Sequence, residues 1–216
     1  MLQAIPSPPQ NSIGSQLILY DVSWETYEKL LEIFAERSTP RLTYYQETLE
    51  LMTPLPEHET YSWTLGRLVV ILSEELGLEI RGLKSTTWRS QPKQAGFEAD
   101  ECFYIQSEAK VRGKLNLDLT IDPPPDLVIE IDLSSSSIDK MTVYAELGIL
   151  EVWRWRKGKL SINLLNEAKE YIESETSLAF ESFPVKELVK FINIDSQKGE
   201  NARMREFRSW VQTQIS

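Results

Sequence analysis

"PDLVIEIDLSSSSIDKMTVYAELGILEVWRW", residues 125–155, carries the architecture. From Asp126 the chain alternates: Leu127, Ile129, Ile131 and Leu133 fall on one strand face, and Asp126, Val128, Glu130 and Asp132 on the other. Ser134 to Ser137 supply a turn and an N-cap. A helix is then expected from about Ile138 to Leu147, with Gly148 as its stop. The following residues alternate around Lys157-Gly158, which predicts a hairpin with a third strand after it.

Upstream, Ser23 is a plausible N-cap for a helix whose apolar face is Trp24, Tyr27, Leu30, Leu31 and Phe34. "RLTYYQETLELMTP" reads as two short strands around a turn near Gln46 to Thr48. A second helix runs from Glu57 to Leu76, with Gly77 as its C′ residue. Strands are expected at "LEIRGL" and "STTWRS", and a continuous one at 96–105 with Glu98, Asp100, Cys102 and Tyr104 on one face. Residues 106–114 read as a loop, and Leu115 to Ile121 as a short strand. "VKELVKFI" and "ENARMREFRSWVQTQI" are amphipathic and end the chain as helices. Residues 1–16 read as a disordered lead-in, and 17–216 as one α+β domain with a mixed sheet between helices.

Bulk composition narrows the chemistry. The 216 residues are 41% hydrophobic and 10% aromatic, as in an ordinary globular domain. A single cysteine, Cys102, excludes an intrachain disulfide, and a single histidine, His58, excludes a site built from several imidazoles. Metal ligands must then be mainly oxygens, which favours magnesium, manganese or calcium. No membrane span or signal peptide is legible, so a cytoplasmic protein is expected. The formal net charge of −10 argues against bulk affinity for nucleic acid, though not against a local basic surface.

Carboxylates two apart on a strand face lie roughly 6.6 Å apart. At that distance they repel by about 0.6 kcal/mol in water and about 2.5 kcal/mol at an effective dielectric of 20. An exposed acidic face tolerates this; a partly buried one needs a cation or a proton. Glu98 and Asp100 repeat the pattern on the earlier strand, so pairing of the two strands would bring up to four carboxylates together. Pattern alone leaves a cation site and a solvated acidic face both open.

The quoted stretch, with "PEH" at residues 56–58 and "EADECFYI" at 98–105, resembles the PD-(D/E)xK nuclease superfamily. It is most similar to a large bacterial family of putative restriction endonucleases, over about residues 20–190. The resemblance implies a restriction-endonuclease-like mixed sheet flanked by helices, and Mg²⁺- or Mn²⁺-dependent hydrolysis of DNA phosphodiester bonds. Asp100 stands at the first metal-binding position, with Ala99 in place of the motif's proline, and Glu130 stands at the acid of (D/E)xK. The motif's lysine position holds Asp132, and in this branch Lys140, four residues before Tyr144, takes its place. Asp100 and Glu130 would hold the metal, Glu98 and Asp132 a second metal position, and Lys140 would orient water or stabilise the phosphate. Glu57 and His58 would point into the site, with His58 as acid or base.

A DNA partner needs a basic track. Arg81, Lys84, Arg89, Lys93, Lys110, Arg112 and Lys114 are candidates, as is the hairpin with Arg154, Arg156, Lys157 and Lys159. Trp153 and Trp155 could stack on bases, although one packed and one wet hairpin face is the commoner meaning of such alternation. Arg203, Arg205 and Arg208 read as a solvated helix face. By analogy with nucleases acting on duplexes, a homodimer is possible. The competing readings are a catalytically inactive nuclease-like fold serving as a binding or oligomerisation module, and a structural Mg²⁺- or Ca²⁺-binding protein.

Overall fold

The structure, a computed structural model, describes residues 16–133, 138–193 and 197–215. Two sheets stack with helices outside and between them. The first has five strands in the order β1 (Gln16–Leu19), β3 (Thr48–Met52), β2 (Arg41–Tyr45), β6 (Ala95–Glu98) and β5 (Thr87–Ser90). The second has six, in the order β11 (Tyr171–Ser174), β10 (Lys159–Leu165), β9 (Glu151–Arg156), β8 (Leu127–Asp132), β7 (Glu101–Tyr104) and β4 (Arg81–Gly82). β8 and β9 are parallel and the other pairs of this sheet antiparallel, so it is mixed, as expected.

Helix α1 (Trp24–Phe34), capped by Ser23, covers the outer face of the five-stranded sheet with Trp24 and Tyr27 against Leu42, Tyr44 and Leu49. Between the sheets lies a core of Phe97, Tyr104, Val128 and Val152, closed by Val143 and Tyr144 of α4 (Lys140–Leu147). The far face of the six-stranded sheet buries Leu127, Ile129, Ile131, Trp153 and Trp155 under α2 (Pro56–Glu75) and α6 (Glu200–Gln214). β8 is therefore packed on both faces, which removes the reading of Glu130 as part of a solvated acidic face.

Several local expectations are corrected. The strand at 96–105 is two strands: β6 belongs to one sheet and β7 to the other, and the chain changes sheets at Ala99-Asp100. Such corners are how stacked sheets are joined. Residues 106–114 contain a helical turn, α3 (Glu108–Val111). No strand forms at 115–121. Asp118 accepts from the Thr120 amide and Asp122 from the Asp118 amide, and such local bonds compete with a ladder. Helix α4 is capped by Asp139, whose Oδ1 accepts from the Met141 amide at 3.1 Å; Ser134 to Ser137 lie outside the described residues. Of the expected lead-in, residues 1–15 lie outside the described residues and Gln16 begins β1.

The hairpin turn at Lys157-Gly158 forms as read, with φ of 49° and 76°. "VKELVKFI" forms a 3₁₀ turn over Val185–Leu188 followed by α5 (Val189–Ile192). Among the described residues, no helix is long and apolar enough to cross a membrane.

Candidate active site

The β7–β8 register pairs Glu101 with Ile129, Cys102 with Val128 and Phe103 with Leu127. One step further it sets Asp100 opposite Glu130. Directly opposed residues of an antiparallel pair have Cβ atoms about 4.5–5.5 Å apart. Asp100 has already bent away from the ladder, and its side chain takes over the next bond: Oδ2 accepts from the Ile131 amide at 2.7 Å. The bend that splits the expected strand thus aims a carboxylate at the neighbouring strand's acid.

Both carboxyl groups are buried, Asp100 at 2% exposure and Glu130 at 6%. Asp100 Oδ1 accepts from Arg41 Nη1, and His58 Nε2 lies 3.2 Å from Oδ2. Neither His58 ring nitrogen completes a hydrogen bond among the described residues. Glu130 Oε1 accepts from Lys140 Nζ, and Oε2 from the Tyr144 hydroxyl at 2.6 Å. Lys140 and Tyr144 stand four apart on α4 and so reach one acid from one helix face. Pro56 at the first position of α2 starts that helix where its φ fits, and the turn it opens brings His58 against Asp100.

Electrostatics separates the two acids. Burial works to raise the Asp100 carboxyl, but His58, Lys140 and Arg41 outweigh it and hold the group down to about 2. Burial raises Glu130, and the Asp100 charge adds to that against the opposing pull of Lys140. Burial would lower Lys140, yet Glu130 and Asp100 push it up to about 12, with Glu50 contributing. His58 is raised as well: burial opposes its charge and Asp100 favours it more strongly.

The other expected residues are placed elsewhere. Glu98 sits in the five-stranded sheet, accepting from the Leu42 amide and the Thr87 hydroxyl, each at 3.0 Å. Asp132 shares the Glu130 face but accepts from Arg154 Nη2, with Arg156 Nε at 3.5 Å. Glu57 is exposed, and Glu59 reaches the cluster instead, accepting from Arg41 Nη2 at 2.6 Å. Asp126, the literal "PD" acid, accepts from the Ile105 and Ser107 amides at 2.7 and 2.8 Å and braces the turn after β7.

Sequence reasoning missed Arg41, Glu50 and Glu59, and it used Tyr144 only as a landmark. An arginine heading a strand with apolar alternate positions was the available signal for Arg41.

Much of the expected basic track is structural. Arg81 binds the Val111 and Lys114 carbonyls, Arg112 pairs with Glu108 and Lys114 with Asp122. Trp153 and Trp155 are buried core residues and cannot stack on a ligand. Arg203 is buried, donating to the Asn193 carbonyl at 2.6 Å, which corrects the expectation of a solvated face, and Arg208 pairs with Glu74 and Glu75.

The donor chemistry fits one kind of ion better than others. Among the described residues no three His, Cys, Asp or Glu side chains gather as a metal cluster. Two opposed carboxylates match magnesium or manganese, which use one or two carboxylates and keep waters or phosphate oxygens in the other positions.

No curated protein matches the chain. Among solved structures it is similar to the crystal structure of a putative nuclease belonging to DUF820 from Anabaena variabilis ATCC 29413. That likeness has 14% identity, covers 84% of this chain and 98% of that one, and has a TM-score of 0.45. Residues 24–195 match the model of the family Uma2, described as putative restriction endonuclease, and the chain belongs to that family.

Proposed function

We propose that this protein is a Mg²⁺- or Mn²⁺-dependent endodeoxyribonuclease acting in the cytoplasm. The observation that carries the reading is the buried pair of opposed acids, Asp100 and Glu130, with the Lys140 ammonium on Glu130. Asp100 and Glu130 would hold the ion, which when bound lowers the pKa of a coordinated water and offsets charge on the scissile phosphate. Arg41 and the Ile131 amide fix the Asp100 rotamer, so that one acid remains ionised and aimed. Tyr144 fixes Glu130 in the same way. Lys140, charged throughout the neutral range, offers N–H donors to phosphate oxygens as negative charge grows on them. His58 supports the ionised state of Asp100 from the α2 side.

One observation favours the alternative of an inactive fold retained for binding. All four oxygens of the two acids already face protein groups: Arg41, the Ile131 amide with His58, Lys140 and Tyr144. A cleavage assay separates the two readings. Supercoiled plasmid and single-stranded DNA are incubated with the protein in Mg²⁺, Mn²⁺ or EDTA. The expected result is metal-dependent nicking that falls at least ~100-fold in Asp100→Asn and in Glu130→Gln. No cleavage with either metal, or cleavage surviving both substitutions, rejects the proposal.

A further inference from the structure

A cavity of about 540 Å³ opens between α2, α6 and the β4–β7 edge, within the range of small-molecule sites. Its floor carries an acid that the proposed chemistry does not use. Glu101 lines the cavity, is 7% exposed, and makes no hydrogen bond or ion pair among the described residues. Gly66 makes room for it, since a Cβ there would lie 3.1 Å from the Glu101 carboxyl carbon.

The rim has the opposite character. Trp63, 48% exposed, has Lys84 Nζ 5.5 Å and Arg67 Cζ 5.9 Å from its ring. Arg67 is paired with Glu200, whereas Lys84 and Arg205 pair with no carboxylate among the described residues. The cavity therefore offers a buried carboxyl group, a half-exposed indole with Lys84 over its ring, and a further cation in Arg205.

A ligand matching all three has N–H donors on a flat ring and an anionic tail. That is a nucleotide. Two adjacent donors suit a carboxylate best, and among the common bases guanine alone presents them, at N1 and N2. The cavity and the acid pair share strand β7, since Glu101 directly follows Asp100 in the chain. His58, Ser62 and Gly66 form one i, i+4, i+8 stripe of α2 facing β7, and Ser62 donates to the Asp100 carbonyl at 3.1 Å. Gly66 lies about 12 Å along the axis from His58.

We infer that this cavity binds a guanine nucleotide, with the base edge on Glu101, its face on Trp63 and its phosphate at Lys84 and Arg205. The inference deepens the nuclease reading by giving that site a base preference.

The test measures binding in EDTA at about pH 8, where no cleavage occurs and Glu101 is ionised. Fluorescence anisotropy compares a labelled oligothymidylate 12-mer holding one central guanine with the same strand holding hypoxanthine or thymine. The guanine strand is expected to bind about 10-fold tighter than either. Glu101→Gln should erase that preference, and Trp63→Leu should weaken all three strands about 10-fold. Trp63 is half-exposed, so its variant remains informative even if Glu101→Gln does not fold. Competition by free 5′-GMP at micromolar concentration identifies a free nucleotide as the occupant, and its absence a nucleotide within a strand; either outcome supports the inference. Equal binding of the three strands, or a guanine preference untouched by both substitutions, overturns it. Setting this binding beside the wild-type plasmid cleavage assay separates the two ideas: a guanine preference in a wild-type protein that cleaves nothing with either metal sinks only the nuclease reading, and metal-dependent cleavage with flat binding sinks only this one.

Discussion

The Tyr144 hydroxyl donates to Glu130 Oε2 across 2.6 Å, while its ring stands edge-on to Phe97 with centroids 4.5 Å apart. One side chain thus closes the core between the sheets and satisfies the buried acid. Tyr144→Phe keeps the packing and deletes the bond. Hydrogen bonds to charged groups contribute roughly 1.5–3 kcal/mol, so the urea midpoint should fall by the equivalent of about 2 kcal/mol with an unchanged slope. An unchanged midpoint would show that Glu130 is satisfied without Tyr144.

Because His58 is the single histidine, its imidazole resonance is unambiguous in a proton NMR titration. Its midpoint should lie above the ordinary 6.5, since the Asp100 charge outweighs burial. A raised histidine pKa stabilises the fold fully below about pH 6.5, and that contribution disappears as pH rises through the folded midpoint. Asp100→Asn removes the leading favourable charge and leaves burial opposed by Glu130 alone, so the midpoint should drop. A wild-type midpoint at or below 6.5 contradicts the contact.

Arg41 joins Asp100 to Glu59 from a buried position. Removing one partner of such a pair leaves an uncompensated buried charge and costs about 3–5 kcal/mol. Arg41→Met should lose stability on that scale in urea unfolding. Adding Asp100→Asn should restore part of the loss, with a coupling of about 0.5–3 kcal/mol in the double-mutant cycle. Strict additivity would show that the two side chains do not act together.

Arg41 also shows where sequence reading stops. The alternation of β8 and the helix after it are local patterns; the strand forms over Leu127–Asp132, and α4 begins at Lys140, two residues after the expected start. Alternation says which residues share a face, but not which sheet a strand joins. Glu98 and Asp100 therefore looked like neighbours, although the chain changes sheets between them. A buried arginine at a strand's start reads like any outward polar residue until the second sheet covers it. At the entry to α2 the error was one of helical phase: the residue that reaches Arg41 is Glu59, two positions after Glu57. Asp132 faces the side expected of it, and its Arg154 partner is supplied by β9, whose parallel pairing with β8 no local pattern encodes.

Glu101 ties the stability of the fold to pH. Burial pushes its carboxyl up to about 7, with Lys84 opposing only in part. Between the ordinary carboxyl range and that value the folded state holds a proton that the unfolded chain releases. Stability therefore falls as pH rises through the window from about 4.5 to about 7. Glu101→Gln removes the ionisation and keeps the shape beside Gly66. It should leave urea stability unchanged near pH 4 and raise it by something on the order of 2 kcal/mol near pH 8. A stabilisation equal at both pH values would mean that the substitution acts through packing against Gly66 rather than through the buried charge.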